Sequence, residues 1–228
     1  MPFCIYILIA LAANLIGSIP TGFLIAKAKG IDIRAVGSGN IGATNAMRAL
    51  GKPAGIFVLL LDVLKGYAAV ILLPPMICDG YLYEIKQHTP FSVVYFRNQP
   101  DEVQIQMYIL AGIFVVLGHN YTCWLKFKGG KGIATTAGVY LALAPVPLGI
   151  ALAVFVVAVL LTRYASVGSI LGSIALVVAV WAISPDNLLL GIVTTALGAL
   201  AIYRHKANIQ RLIAGTENRV GKKPEDKK

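Results

Sequence analysis

Leu117-Gly-His-Asn-Tyr-Thr-Cys-Trp-Leu-Lys-Phe-Lys-Gly-Gly-Lys-Gly-Ile-Ala-Thr-Thr136 lies between two long apolar runs, and its reading decides the fold. Lys126, Lys128 and Lys131 alternate there with Gly129, Gly130 and Gly132. Glycines let backbone N–H groups turn toward one point, and lysines add full charges beside it, which is how a chain seats a phosphate. Taken alone, the stretch reads equally as a lysine-rich loop held at a membrane surface. Two other polar stretches, Gly37–Arg48 and Arg204–Arg219, share its character. The expectation is that all three loops lie on one side of a membrane.

Composition supports that setting. The 228 residues are 57% hydrophobic and 13% charged, whereas soluble domains carry roughly 25% charged residues. Apolar runs long enough to cross a ~30 Å hydrocarbon core recur along the chain. The reading is an all-α integral membrane protein with about seven transmembrane helices: Phe3–Ala26, Ala54–Leu73, Ile105–Trp124, Ile133–Ala144, Val146–Thr162, Val167–Ile183 and Leu188–Tyr203. The fourth is short because Pro145-Val-Pro147 ends it, and it either crosses a thin region or re-enters. Residues 1–220 are read as a single polytopic membrane domain, with 74–104 as an extracytoplasmic insertion and 221–228 as a charged tail. The first span has no basic leader and is read as retained rather than as a cleaved signal.

Charge sets the orientation. All lysines and arginines except Lys65, Lys86 and Arg97 fall on one side of a seven-span chain. The positive-inside rule makes that side cytoplasmic, with the N-terminus outside and the C-terminus cytoplasmic. The net charge of +10 would suggest nucleic acid in a soluble protein. Here the charges are scattered over loops between spans, so the lipid bilayer is the expected partner, with no nucleic acid and no required protein partner. Cys4, Cys78 and Cys123 lack metal-ligand spacing, and neither a disulfide framework nor a metal site is expected. His88, in the insertion, reads as a surface residue.

The first cytoplasmic loop contains Gly37-Ser-Gly-Asn-Ile-Gly42, a G-x-G-x-x-G match with Asp62 twenty residues on. A dinucleotide site needs a βαβ unit, and Asp62 lies inside an apolar span, so that reading fails. The local physics survives. The glycines permit a tight turn, Ser38, Asn40, Thr44 and Asn45 offer hydrogen bonds, and Ala43–Leu50 can form a helix whose N-terminus favours an anion. Arg48 falls on that helix and can grip phosphate bidentately. Asp62 and Lys65, three apart within the second span, read either as a pair locking helices together or as a substrate contact. The loop around Lys131 is not a Walker A sequence, since Gly132 stands where Ser or Thr is required. Ser166 and Ser169 read as caps of the sixth span or as ligand contacts. His205 and Asn208, three apart, share a face if helical. His119 reads as a helix-end packing residue.

Gly-Ser-Gly-Asn-Ile-Gly-Ala-Thr-Asn at 37–45 with Arg48, Lys-Phe-Lys-Gly-Gly-Lys-Gly-Ile-Ala-Thr at 126–135, and His205-x-x-Asn-Ile-x-Arg-Leu with Gly215 and Glu217 resemble the three cytoplasmic motifs of the bacterial acyl-phosphate:glycerol-3-phosphate acyltransferases, the PlsY family. The resemblance runs from Leu15 to Arg219 apart from the insertion, which is longer than the family pattern. It implies an enzyme of the cell inner membrane, with its active site at the cytoplasmic face. That enzyme would move a fatty acyl group from acyl phosphate to the 1-hydroxyl of sn-glycerol 3-phosphate, giving lysophosphatidic acid and phosphate in the first step of phospholipid synthesis, without a cofactor. Carried over by motif, the catalytic set is Ser38, Arg48, Lys131, Ser169, His205 and Asn208. Substrate binding falls to Gly37, Gly39, Asn40, Thr44, Asn45, Gly129, Gly130 and Gly132.

The residues agree with this from below. Two phosphate-bearing substrates need several cations. None of His88, His119 and His205 is followed by Asp after four intervening residues, so the acid–base dyad of the other glycerophosphate acyltransferase class is missing. Direct attack by the glycerol hydroxyl follows, with His205 or a substrate phosphate oxygen taking the proton and cations stabilising the departing phosphate. Basic glycine-rich loops would also suit a transporter of organic phosphates or anions, or a scaffold for anionic lipid.

Overall fold

The structure, a computed structural model, describes residues 3–79 and 102–221. His88, residues 80–101 of the expected insertion and residues 222–228 of the tail lie outside them. Among the described residues the architecture is helical: α1 (Phe3–Ser18), α2 (Thr21–Ala28), α3 (Ala43–Leu50), α4 (Lys52–Asp79), α5 (Glu102–Asn120), α6 (Ile133–Leu143), α7 (Pro145–Thr162), α8 (Ala165–Ile183), α9 (Leu188–Arg204) and α10 (Lys206–Ile213). Two 3-10 turns, Ile33–Ala35 and Cys123–Leu125, shape the loops.

All seven apolar segments are helical. Among the described residues five stretches are long and apolar enough to cross a membrane, and α9 with α10, bent by 51°, makes a sixth. The remaining segment, α6, has 11 residues, or roughly 17 Å of rise. Proline decides its end: Ala144 leaves the helix and Pro145 opens α7, where a missing N–H costs nothing. One boundary differs from expectation. α4 runs through Pro74 and Pro75 to Asp79, and α5 already begins at Glu102, so both ends of the expected insertion are helical. Pro74 and Pro75 have no N–H to give the carbonyls of Val70 and Ile71, so two bonds of the α4 ladder are missing there.

The chain forms two compact units, Met1–Pro20 with Leu60–Pro145 and Thr21–Leu59 with Val146–Lys228. In the first unit α1 packs along α5. The contact is backbone on backbone: a side chain at Gly17 would strike the Val115 backbone, and one at Gly118 would strike the Asn14 carbonyl. Lipid offers little hydrophobic drive between helices, so close approach of small residues supplies the attraction. Pro20 ends α1, and the freed carbonyls of Ser18 and Ile19 are taken by the Thr122 hydroxyl and by Lys65 Nζ, the latter at 3.1 Å.

In the second unit α8 packs on α9, with Trp181 Nε1 donating to Thr195 Oγ1 at 3.0 Å. Gly22 of α2 sits against the Ile41 carbonyl, which fixes the first loop beside its helix. Apolar side chains line the outside. Leu8, Leu11 and Leu15 on α1, Phe57, Leu60 and Leu64 on α4, and Leu160 and Leu161 on α7 are all exposed. Such faces are what a bilayer covers.

Candidate active site

Each unit carries its own polar cluster. In the second unit, the Gly37–Gly42 loop is held by one side chain. Asn45, 1% exposed, accepts from the Ser38 N–H at 2.9 Å and donates to the carbonyls of Ile33 and Val36, both at 3.0 Å. That uses three of the four hydrogen bonds its amide can make. Gly37 and Gly39 have φ of 58° and 71°, which a side chain would strain. At the edge of the loop Asp32 accepts from the Arg34 backbone and side chain, and these bonds lower its pKa to about 2.

The turn delivers the chain into α3, whose Gly42 cap has no side-chain hydrogen bond. The first N–H groups of α3 are therefore open to an anion. Ser38 and Asn40 are half-buried in the loop, Thr44 is exposed, and Arg48 is half-buried on α3. Arg48 Nη2 donates to the Asn218 carbonyl at 3.2 Å. Burial lowers its pKa, the Glu217 charge pulls it back up, and Arg211 lowers it again; a guanidinium stays charged throughout.

Glu217 is the centre of the second half of this cluster. Its Oε1 accepts from Asn208 Nδ2 at 2.7 Å and from Ser166 Oγ at 3.0 Å, and its Oε2 from Arg211 Nε at 2.7 Å. Burial raises its pKa, but the bonds from Asn208, Arg211 and Ser166 and the Arg211 charge outweigh it, so the carboxyl titrates below its ordinary value. The segment after it is pinned by Val220 N–H donating to the Arg163 carbonyl at 2.8 Å. Sequence reasoning left Glu217 out of the site set. The available signals were its place in the motif with His205 and Asn208 and its being a single acid within a basic stretch.

One reading needs correction here. Ser166 and Ser169 do not cap α8. Its cap is Tyr164, without a side-chain bond, while Ser166 binds Glu217 and Ser169 Oγ donates back to the Ala165 carbonyl at 2.8 Å. Both serines lie one or more residues inside the helix, where a hydroxyl reaches a neighbour or the i−4 carbonyl instead of a free N–H. His205 stands at the 51° bend itself, and its carbonyl accepts the Asn208 N–H at 2.8 Å, so the pair is one turn apart at the start of α10. His205 closes α9 and opens α10, and both residues are buried. His205 Nδ1 lies 2.7 Å from the Ala201 carbonyl. A carbonyl only accepts, so Nδ1 carries a proton and donates it there.

The first unit carries the Lys126–Gly132 loop. Here backbone holds backbone: Gly129 N–H donates to the Asn120 carbonyl at 3.2 Å and Gly130 N–H to the His119 carbonyl at 3.0 Å. Lys126 and Phe127 both take left-handed conformations, with φ of 53° and 61°. Gly132, φ 81°, then starts α6 without a side-chain cap. Lys131 is half-buried at that N-terminus. Beneath Gly132 lies Asn120, whose amide atoms are buried and have no hydrogen-bond partner among the described residues.

The fold and these loops define a class first: an all-helical integral membrane protein with glycine-rich cationic loops heading uncapped helices. The family follows from comparison. The glycerol-3-phosphate acyltransferase family profile matches residues 7–215. The glycerol-3-phosphate acyltransferase of Desulforamulus reducens is 42% identical over 219 residues, covering 95% of this chain and 96% of its own. That of Geobacter sulfurreducens is 40% identical over 214 residues, covering 93% and 96%. The crystal structure of PlsY (YgiH), an integral membrane glycerol 3-phosphate acyltransferase in its glycerol 3-phosphate form, superposes with a TM-score of 0.78 at 35% identity, covering 95% of this chain and 96% of that one. Its lysophosphatidic acid form gives 0.76 at 34% identity. The chain belongs to the glycerol-3-phosphate acyltransferase family, and membership favours the enzyme over the carrier reading.

Proposed function

We propose that the protein transfers a fatty acyl group from acyl phosphate to the 1-hydroxyl of sn-glycerol 3-phosphate, releasing lysophosphatidic acid and inorganic phosphate. The observation that carries this is the pair of uncapped helix N-termini, α3 and α6, each entered through a glycine loop and each furnished with a cation, Arg48 or Lys131. That is provision for two phosphate groups, which is what this donor and acceptor bring. The relatives solved with glycerol 3-phosphate and with lysophosphatidic acid support the acceptor and the product.

In the reaction the glycerol oxygen attacks the acyl carbonyl carbon, and the bond from that carbon to the phosphate oxygen breaks. The hydroxyl proton passes to His205 or to a phosphate oxygen of the substrate. The cation at the donor's seat stabilises the charge gathering on the leaving phosphate, and the cation at the other seat holds the acceptor's phosphate. Ser38, Ser169 and Asn208 complete the catalytic set, with Asn208 acting through Glu217. Gly37, Gly39, Asn40, Thr44, Gly129, Gly130 and Gly132 line the substrate phosphates, and Asn45 shapes the loop that does so. The polypeptide crosses the cell inner membrane about seven times, with the N-terminus outside and the loops, active site and C-terminus cytoplasmic. No cofactor, metal or protein partner takes part.

The test is initial rate of the purified protein in detergent, with glycerol 3-phosphate and palmitoyl phosphate, palmitoyl-CoA or palmitoyl-carrier protein, each with and without chelator. Turnover with palmitoyl phosphate alone, unchanged by chelator, is expected. Comparable turnover with the thioesters overturns the donor assignment.

A further inference from the structure

Three buried ionisable side chains of the first unit stand outside the machinery proposed above. Asp62 is 2% exposed, Lys65 8% and His119 6%. Asp62 Oδ1 lies 2.7 Å from Lys65 Nζ and 3.8 Å from His119 Nδ1. Lys65 Nζ also donates to the Ile19 carbonyl at the α1–α2 break, at 3.1 Å. On its other side the His119 ring lies directly beneath the phosphate loop. A methyl group at Gly130 would overlap Nε2 and crowd both neighbouring ring carbons. The His119 carbonyl meanwhile accepts from Gly130 N–H at 3.0 Å.

An ion pair within α4 would account for Asp62 and Lys65 but not for a histidine ring placed between their carboxylate and the loop. We infer that Asp62, Lys65 and His119 form a positioning set. The carboxylate, fixed by Lys65, orients the imidazole, and the imidazole sets the level of Gly130 and therefore the direction of the N–H groups that receive a substrate phosphate. The spacing test for a local His–Asp dyad misses this arrangement, because its members come from α4 and α5. None of the three is assigned contact with reacting atoms, so the set acts through the loop.

The inference rests on the acyltransferase reading, and the experiment separates the two. Wild-type protein must first turn over palmitoyl phosphate and glycerol 3-phosphate; failure there sinks the proposed donor and leaves the positioning set to the binding measurement below. The kinetic test is a double-mutant cycle of Gly130→Ala and His119→Ala. Each single change should raise KM for a phosphate substrate by about tenfold and alter kcat by less than about threefold. Because removal of the ring makes room for the methyl group, the double variant should match the worse single variant. Independent losses would multiply to about a hundredfold and overturn the inference. His119→Gln should recover KM to within about threefold of wild type, and equal defects in Gln and Ala variants would also overturn it. A lower Tm with unchanged KM values would reduce the set to a structural lock. The binding measurement needs no substitution at the site. In protein labelled with 15N-histidine, inorganic phosphate should shift the His119 ring resonances, assigned by elimination against His88→Gln and His205→Gln. Resonances unmoved by saturating phosphate would refute the role.

Discussion

The Gly37–Gly42 and Lys126–Gly132 loops arrive at the same end, a glycine turn into an uncapped helix with a cation beside it, by different construction. The first hangs on Asn45, whose buried amide makes three bonds to its backbone. The second is held by main-chain bonds to the last carbonyls of α5 and by two left-handed residues, with Asn120 beneath it making no side-chain bond among the described residues. A loop organised by a side chain fails when that residue is substituted. One organised by backbone tolerates side-chain changes but not added bulk at its glycines.

The largest effects test what the loops share. Arg48→Ala and Lys131→Ala should each lower turnover by roughly 10- to 150-fold, since a charge-assisted bond is worth about 1.5–3 kcal/mol and each 1.36 kcal/mol is a decade. Steady-state assay of protein that still purifies as folded would show it. A mild Lys131 variant beside a severe Arg48 variant would break the equivalence of the two seats. The next test addresses the difference. Asn45→Ala removes three bonds, one buried and two part-buried, and should cost about 1–3 kcal/mol, a fall of roughly 5 °C in Tm. Asn120→Ala removes polar atoms that lack partners and should lower Tm less. Equal falls would erase the contrast, and lost turnover at Asn120 with Tm intact would make it a substrate contact.

Smaller effects bear on the support of the first loop's cluster. Glu217 titrates below its ordinary value when folded, so the unfolded chain binds its proton first as pH falls. Its stabilisation is present above the ordinary glutamate value near 4.5 and is lost as pH drops through the lower folded value. The Tm gap between wild type and Glu217→Gln should therefore be widest near neutrality and narrow below about pH 4.5. A gap independent of pH would mean the carboxylate charge is not what the cluster uses. Lys29→Ala should be smallest: this exposed cation lies outside both loops, and turnover should stay within about twofold. A larger loss would show that bulk charge, rather than two built seats, attracts the substrates.

Legibility in the sequence followed the range of each interaction. Apolar runs and proline breaks act locally, so the seven helical segments and α3 at Ala43–Leu50 were readable, down to the stop at Ala144. The glycines and cations of the loops were readable for the same reason. Long-range partners were not. Nothing near Glu217 announces that Ser166, 51 positions away, will bond to it, and nothing near His119 points to Asp62. Hydroxyls were assigned to caps because the sequence carries no information on which helix residue is first. The continuation of α4 past Pro74 was missed because prolines were weighed as stops, whereas α4 carries both inside it.

The Asp62–Lys65 pair also bears on how the protein is made. Both charges belong to α4, three residues apart, and their contact is complete within that helix. A lone charge at the centre of a span costs about 2.5–3.5 kcal/mol to insert. Here each charge brings its counter-ion, so α4 can leave the translocon as a neutral rod before α5 has been synthesised. His119 then arrives at a carboxylate that is already in place, so the support beneath the Lys126–Gly132 loop is completed only once α5 has been made.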